Sequence, residues 1–459
     1  MPLGLNYSLA LLQLATAYKA KLLCSGVFVS KRQPQSLLAE DLAVDSLAPL
    51  QYFKATINRK NQTVTTSFLG TNQRRAVYRP GLGTTLAIGK TPTELYDQST
   101  EFSAWYQQNP PKAIPLPTAR TPHPEVNQPQ LEKAIKAAFS EPNPKKQQRT
   151  RAIVIVRKGK IIAERYAKNI SSTTPLLGWS MTKSVINALI GILIQQGKLS
   201  LDRDNLLPEW RSLEGKTAAA PTDPRSRITL DQLLRMSSGL QFSENYANPL
   251  SDATTMLFRR GDKAKYAAQR SPVTSPGSSF YYSSGTTVLL CRIIKAALGS
   301  SLTDYFAFPH RALFHPLGMS SAVLEPDAAG TFTGSSFMYA TATDWAKLGL
   351  LYLQDGCWSV NNKWTRLLPE GWVQYATSPG KTADFYGAHF WRGVPLSFTA
   401  ENRNQPDWPK DAYLASGYQG QFLTVIPSQE LVIVRLGLSQ RRNSWNHEQF
   451  ISQISKAIG

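Results

Sequence analysis

Ser180-Met181-Thr182-Lys183 is the stretch best equipped for covalent chemistry. It follows Gly178-Trp179 and precedes the apolar run from Ser184 to Gln196, which predicts a helix ended by Gly197. With Ser180 at the start of that helix, Lys183 stands one turn later on the same face, and its amine reaches the hydroxyl. Serine becomes a strong nucleophile only when a base takes its proton, and lysine can do so only as a free amine. Burial and the positive end of the helix both push the lysine toward that state. Taken alone, the tetrapeptide also fits a helix-capping serine followed by a solvated lysine.

Two further clusters bear on the choice. Phe280-Tyr281-Tyr282-Ser283-Ser284-Gly285 opens another apolar helix, Thr286 to Leu298. A phenol from it, beside the Ser and Lys, can act as phenolate base or as the acid that protonates a leaving group. Ser416-Gly417-Tyr418-Gln419-Gly420-Gln421 precedes the last predicted hairpin, where small residues let a substrate lie along an edge strand. Backbone N–H groups there can join that of Ser180 in holding an oxyanion.

These clusters need a scaffold. Ile153-Val154-Ile155-Val156, the Lys158-Gly159-Lys160 turn and Ile161-Ile162 read as a hairpin, and Phe422 to Ile426 with Leu431 to Leu436 reads as a matching one near the other end. Trp445 to Ile458 and Gln130 to Phe139 carry apolar residues at helical spacing. One sheet built from residues 150–170 and 420–440, with a mainly helical insertion over about 195–340, follows from this pattern. Pro-rich connectors lie between residues 100 and 150. They separate an N-terminal extension of mixed strands and loops, 1–118, from the domain 119–459.

The order SxxK, then YxS, then a Gly-bounded triplet opening a strand resembles the serine hydrolases of the class C β-lactamase and penicillin-binding protein superfamily. Within it the chain is most similar to the family VIII esterase and 6-aminohexanoate-dimer-hydrolase-like branch. Gln196-Gly197-Lys198-Leu199-Ser200-Leu201-Asp202, the Ile228 to Leu240 segment, Pro316-Leu317-Gly318-Met319 and Tyr339-Ala340-Thr341-Ala342-Thr343-Asp344 stand in the family's order. The resemblance covers roughly residues 130 to 459. It implies an α/β (α+β) fold, an antiparallel sheet flanked by helices with a helical subdomain inserted. It also implies Ser180 as acylated nucleophile, Lys183 as general base, Tyr282 as proton shuttle, Ser284 where relatives have Asn or Ser, and oxyanion donors at Ser180 and Gln421. No metal or organic cofactor is implied, and the substrate is a small-molecule ester or linear amide. Where β-lactamases and peptidases carry Lys or His followed by Thr and Gly, this chain has Tyr418-Gln419-Gly420. A phenol in place of that cation disfavours substrates with a carboxylate, such as penicillins or D-Ala-D-Ala peptides.

Other classes fit less well. Gly178-Trp179-Ser180-Met181-Thr182 lacks the last Gly of a nucleophile elbow, and only His447 lies late enough to be its base. His123, His310, His315, His389 and His447 show no zinc spacing, and Gly81-Leu82-Gly83 is too little for a nucleotide loop. A non-catalytic binding protein on the same scaffold is opposed by the intact Ser180, Lys183 and Tyr282. Against 31 Asp plus Glu, 51 Lys plus Arg leave a net charge of +20, which favours polyanionic surroundings, an anionic cell-envelope surface among them. Nucleic-acid binding rests on that charge alone, and the run Lys145, Lys146, Arg149, Arg151, Arg157, Lys158 and Lys160 reads as a solvated face. The apolar stretch Leu3 to Tyr18 is interrupted by Asn6, Ser8 and Gln13, too short for a stable transmembrane span and a weak export signal. It reads as a helix, with Cys24 a buried thiol. The compartment stays open between bacterial cell envelope or periplasm and cytoplasm.

Overall fold

Ile153-Val154-Ile155-Val156 has no polar alternation because the strand that contains it is covered on both faces. The computed structural model describes residues 3–42, 44–119, 124–210, 223–360, 363–395, 408–439, 441 and 443–459. Its main sheet is antiparallel and has five strands: β1 (Thr150–Arg157), β2 (Lys160–Tyr166), β3 (Tyr413–Gly417), β4 (Gln421–Ile426) and β5 (Leu431–Gly437). Their order is β3-β4-β5-β1-β2, so the two ends of the domain meet where β5 pairs with β1, Val434 opposite Val154 and Ile433 opposite Ile155.

Side chains alternate across the pleat into two separate cores. Val154, Val156, Leu423, Val425, Val432 and Val434 enter the large one, which includes much of the Thr182–Gln195 and Ala342–Leu353 helices. Ile153, Ile155, Phe422, Ile426, Leu431 and Ile433 enter the smaller one beneath the Gln128–Ala138 and His447–Ile458 helices. Between β2 and β3 most of the regular structure described is helical, with a three-stranded sheet built from Leu176–Leu177, Met338–Ala340 and Val323–Leu324 and a hairpin of Cys357–Val360 and Lys363–Arg366.

Three sequence expectations change. The sheet begins before residue 420: the Ser416 to Gln421 segment ends β3, makes the turn at Tyr418-Gln419-Gly420 and begins β4. The extension is more than strands and loops. It starts with the Leu3–Phe28 helix, continues through a four-stranded antiparallel sheet and adds the Pro92–Asp97 and Thr100–Gln108 helices. Its residues Ala17, Ala20, Leu23 and Val64 belong to the same apolar cluster as Val154 and Trp179. The basic run is also not one solvated face, since buried Arg151 and Arg157 are paired with Asp41 and Glu125.

A buried ion pair fastens the first helix. Lys21 Nζ donates to Glu325 Oε2, while Ser25 Oγ at 2.9 Å and the Thr84 amide at 2.7 Å donate to Oε1 of the same carboxylate. Glu325 is 0% exposed. Cys24 is buried, Cys291 is buried and Cys357 half-buried, all three as free thiols. Among the described residues no single helix is long and apolar enough to cross a membrane; one bent pair, Ser284–Ala297 with Leu302–Leu317, passes on length and composition alone.

Candidate active site

Ser180 sits in a single 3-10 turn, Trp179–Met181, that runs straight into the Thr182–Gln195 helix. The i, i+3 spacing does what helical geometry requires: Lys183 Nζ lies 3.0 Å from Ser180 Oγ. The same nitrogen lies 2.9 Å from the Ser335 carbonyl and 3.3 Å from Ser284 Oγ, and Lys183 is only 1% exposed. Burial lowers its pKa from 10.5 to about 8, against the opposing pull of the Glu244 carboxylate.

Tyr282 comes to the same place from the start of the Ser284–Ala297 helix, capped by Ser283, whose hydroxyl accepts from the Thr286 amide. Its ring centroid is 4.8 Å from Lys183 Nζ. Burial drives the phenol's pKa well above 10, and a hydrogen bond with Ser180 offsets part of that rise. Trp391 stacks on the ring at 5.5 Å. Tyr281, by contrast, is 52% exposed and takes no part in this cluster.

Ser284 is buried at the first position of its helix. Its amide donates to Glu244 Oε2 at 3.0 Å and its hydroxyl donates to Glu244 Oε1. Tyr246 donates to Glu244 Oε1 as well and stacks on Tyr418 at 5.8 Å. Glu244 and Tyr246 were not singled out in the sequence, because Ser243-Glu244-Asn245-Tyr246 lies in a loop with no periodicity to mark it. His389, which has no zinc spacing, packs beneath the site: its Nδ1 lies 2.9 Å from the Lys183 carbonyl and its Nε2 lies 3.3 Å from Thr287 Oγ1. Burial lowers its pKa to about 3, so the ring is neutral and holds the lysine's backbone.

The β3–β4 turn supplies the other wall. Tyr418 is 36% exposed, its ring edge-on to Trp179 at 5.5 Å, and Trp179 Nε1 donates to Gln419 Oε1 at 3.1 Å. Gly420 has φ +80°, a conformation the turn requires, and lies against the Arg435 guanidinium, which donates to its carbonyl at 2.5 Å. Gln421 starts the inner strand β4. Its side chain is tied to β5, with Nε2 donating to the Gly437 carbonyl at 2.7 Å and Oε1 accepting from the Gly437 amide at 2.9 Å.

His447 cannot serve a nucleophile elbow. It is stacked on Phe422 at 3.7 Å and bonded to Thr424 Oγ1 at 2.8 Å, and the ring packs with the His447–Ile458 helix. His310 is likewise buried, 3.3 Å from the Gly81 carbonyl, and His315 is stacked on Trp105. His123 lies outside the described residues.

A five-stranded antiparallel sheet with helices on both faces and an SxxK pair beside its edge strand is the architecture of β-lactamase-like serine hydrolases. The chain belongs to that family: the Beta-lactamase profile matches residues 132–447. Over 304 residues, 62% of this chain and 72% of the relative, it is 23% identical to the 6-aminohexanoate-dimer hydrolase of Paenarthrobacter ureafaciens. Its fold is similar to that of a family VIII carboxylesterase, with a TM-score of 0.51 and 16% identity over 75% of this chain and 99% of the other. It is also similar to a penicillin-binding protein homologue from Caulobacter crescentus, with a TM-score of 0.50 and 17% identity over 71% and 95% of the two chains. By name the first of these is an amide-dimer hydrolase and the second a carboxylesterase.

Proposed function

We propose that the chain cleaves an ester or linear amide through an acyl-enzyme on Ser180. The observation that carries this reading is the buried Lys183 amine, 3.0 Å from Ser180 Oγ with a pKa of about 8. At pH 7 about a tenth of such an amine is uncharged and able to take the hydroxyl proton, and the fraction grows as pH rises.

Ser180 Oγ attacks the carbonyl carbon as its proton passes to Lys183 Nζ. The carbonyl π-electron pair moves onto oxygen, and two backbone N–H groups stabilise that charge. The Ser180 amide is one. For the second, the Tyr418 amide is the better candidate than Gln421: Tyr418 directly follows the edge strand β3, whose Gly417 lies against Gly178, whereas Gln421 lies one strand further in. Tyr282, with its pKa raised, stays protonated and so acts as the acid rather than as a phenolate base. It passes a proton to the departing alcohol or amine and recovers one from Lys183. Water then attacks the acyl carbonyl by the same route, releasing the acid and restoring Ser180.

The aromatic wall of Tyr246, Tyr418 and Trp179 favours uncharged substrates. The names of the relatives point to the same range, carboxylesters and linear amides. The test is a panel of p-nitrophenyl butyrate, a linear 6-aminohexanoate dimer and a chromogenic cephalosporin, with intact-mass detection of the adduct. Hydrolysis of an ester or linear amide with acyl mass on Ser180, lost in Ser180→Ala, supports the reading. Full activity in Ser180→Ala, or faster cleavage of the cephalosporin, overturns it.

A further inference from the structure

The first helix, Leu3–Phe28, precedes the family-matched residues 132–447, yet it touches the turn that carries Ser180. Tyr18 stacks on Trp179 with ring centroids 6.4 Å apart and planes 19° apart, and packs on Phe258 at 5.3 Å. Its buried hydroxyl lies beside the Gln419 side chain, and Tyr18 OH and Gln419 Nε2 each lack a hydrogen-bond partner of normal geometry among the described residues.

Trp179 and Gln419 stand in an unusual conformation. Their φ angles are +47° and +64°, in the left-handed region that a side-chain-bearing residue enters at a cost. Such conformations persist where the surroundings over-determine them. Trp179 immediately precedes Ser180, and Gln419 immediately follows Tyr418, so the two strained residues flank the two amides assigned to the oxyanion. They are joined by the Trp179 Nε1 hydrogen bond to Gln419 Oε1 at 3.1 Å. Tyr18 meets both partners of that clasp.

We propose that Tyr18 is a positioning residue supplied by the N-terminal segment: it holds the Trp179–Gln419 clasp and thereby sets the spacing of the Ser180 and Tyr418 N–H groups. The proposal rests on the reading of Ser180 as nucleophile. Its ring does most of this by stacking on the indole, and its hydroxyl adds a contact with Gln419. A loosened clasp leaves substrate binding intact and weakens the hold on the tetrahedral oxyanion. The defect therefore falls on kcat rather than KM.

The experiment compares full-length wild type, Tyr18→Leu, Tyr18→Phe and Gln419→Met with p-nitrophenyl butyrate, normalising kcat to the Ser180 sites titrated by a fluorophosphonate. Tyr18→Leu is expected to lower kcat per titrated site about 10- to 100-fold with KM within about 3-fold, on the scale of a misplaced oxyanion donor. Tyr18→Phe, which keeps the ring, is expected to recover most of that loss. Gln419→Met is expected to show the same kcat signature, and combining it with Tyr18→Leu to add little further loss. If kcat per titrated site in Tyr18→Leu stays within twofold of wild type, whatever happens to its melting temperature, Tyr18 is merely structural and the proposal fails. Should Tyr18→Leu not fold, a Gln419→Met variant with unchanged kcat overturns it equally. Ser180→Ala is the separate control: activity surviving there defeats the nucleophile assignment, whereas an active wild type that depends on Ser180 but ignores Tyr18 defeats only the positioning role.

Discussion

Gly417 and Gly178 touch through their backbones so closely that a Cβ on Gly417 would lie 2.2 Å from the Gly178 carbonyl oxygen. This contact seats the edge strand β3 against the turn that carries Ser180. Gly417→Ala must push the two apart, because the obstructing atom is backbone and cannot rotate away. We expect kcat for p-nitrophenyl butyrate to fall by about 100-fold or more, the scale of losing one oxyanion donor, with the circular dichroism spectrum unchanged. Activity within a few-fold of wild type would show that β3 does not help to hold the oxyanion.

If Lys183 is the base proposed above, the pH dependence of turnover should follow it. Its pKa of about 8 means that kcat/KM should rise with pH to a plateau above that value, with an apparent pKa near 8. The Glu244 carboxylate raises the lysine pKa, so Glu244→Gln should move the profile to lower pH. A profile that Glu244→Gln shifts upward would contradict the assignment.

Lys183 also costs stability. Its folded pKa is lower than its unfolded one, so the penalty on the buried ammonium is fully present below pH 8 and is relieved as pH rises from about 8 to 10.5. Lys183→Met should remove turnover by several orders of magnitude yet unfold in urea with a stability about 1–2 kcal/mol above wild type at pH 7. That advantage should shrink by pH 10. A variant less stable than wild type at pH 7 would mean that the Ser335 and Ser284 contacts outweigh desolvation.

Buried histidines set the acid limit. Burial lowers His310 and His389 to about 3 and His447 well below 6.5. Each therefore stabilises the fold above pH 6.5, and that contribution is lost as pH falls, because the unfolded chain binds protons that the folded one refuses. Together the three contribute a slope approaching about 4 kcal/mol per pH unit between about pH 5 and pH 4. His447→Gln should flatten the measured slope of urea stability against pH by about a third of that amount.

Breaking the Lys21–Glu325 pair should loosen the first helix. Lys21→Met leaves a fully buried carboxylate with only Ser25 and Thr84 as donors, and a cost of about 3–5 kcal/mol is expected in urea unfolding. The double variant Lys21→Met/Glu325→Leu should recover part of it. A single variant as stable as wild type would show that the charge is solvated in solution.

How much was legible differs residue by residue. Ser180 and Lys183 lie within one turn, so their separation was set by spacing alone and only their burial was new. Tyr282 could be told from Tyr281 by the motif that follows it, and the structure leaves Tyr281 out in solvent. Glu244, Tyr246 and His389 carried no such signal. They reach the site from loops whose course no periodicity describes. β3 lies outside the 420–440 stretch of the sheet because Ala415-Ser416-Gly417 has no apolar run to mark it; it is a strand because its backbone pairs with β4 and its glycine admits Gly178. Arg151 and Arg157 sit in a basic run that reads as a solvated face, yet they are buried because the acids that neutralise them come from elsewhere in the chain.

From its sequence alone the chain declares two hairpin-built ends of one sheet, a helical insertion and a serine–lysine pair, because each depends on neighbours a few residues apart and on fixed helix or strand repeats. Tertiary packing alone decides that the amine is dry enough to lose its proton and that a carboxylate opposes that loss. It also brings a helix from the far N-terminus under the turn that carries Ser180. Desolvation and Coulomb forces depend on what surrounds a group in space, and that is settled only when segments hundreds of residues apart have packed together.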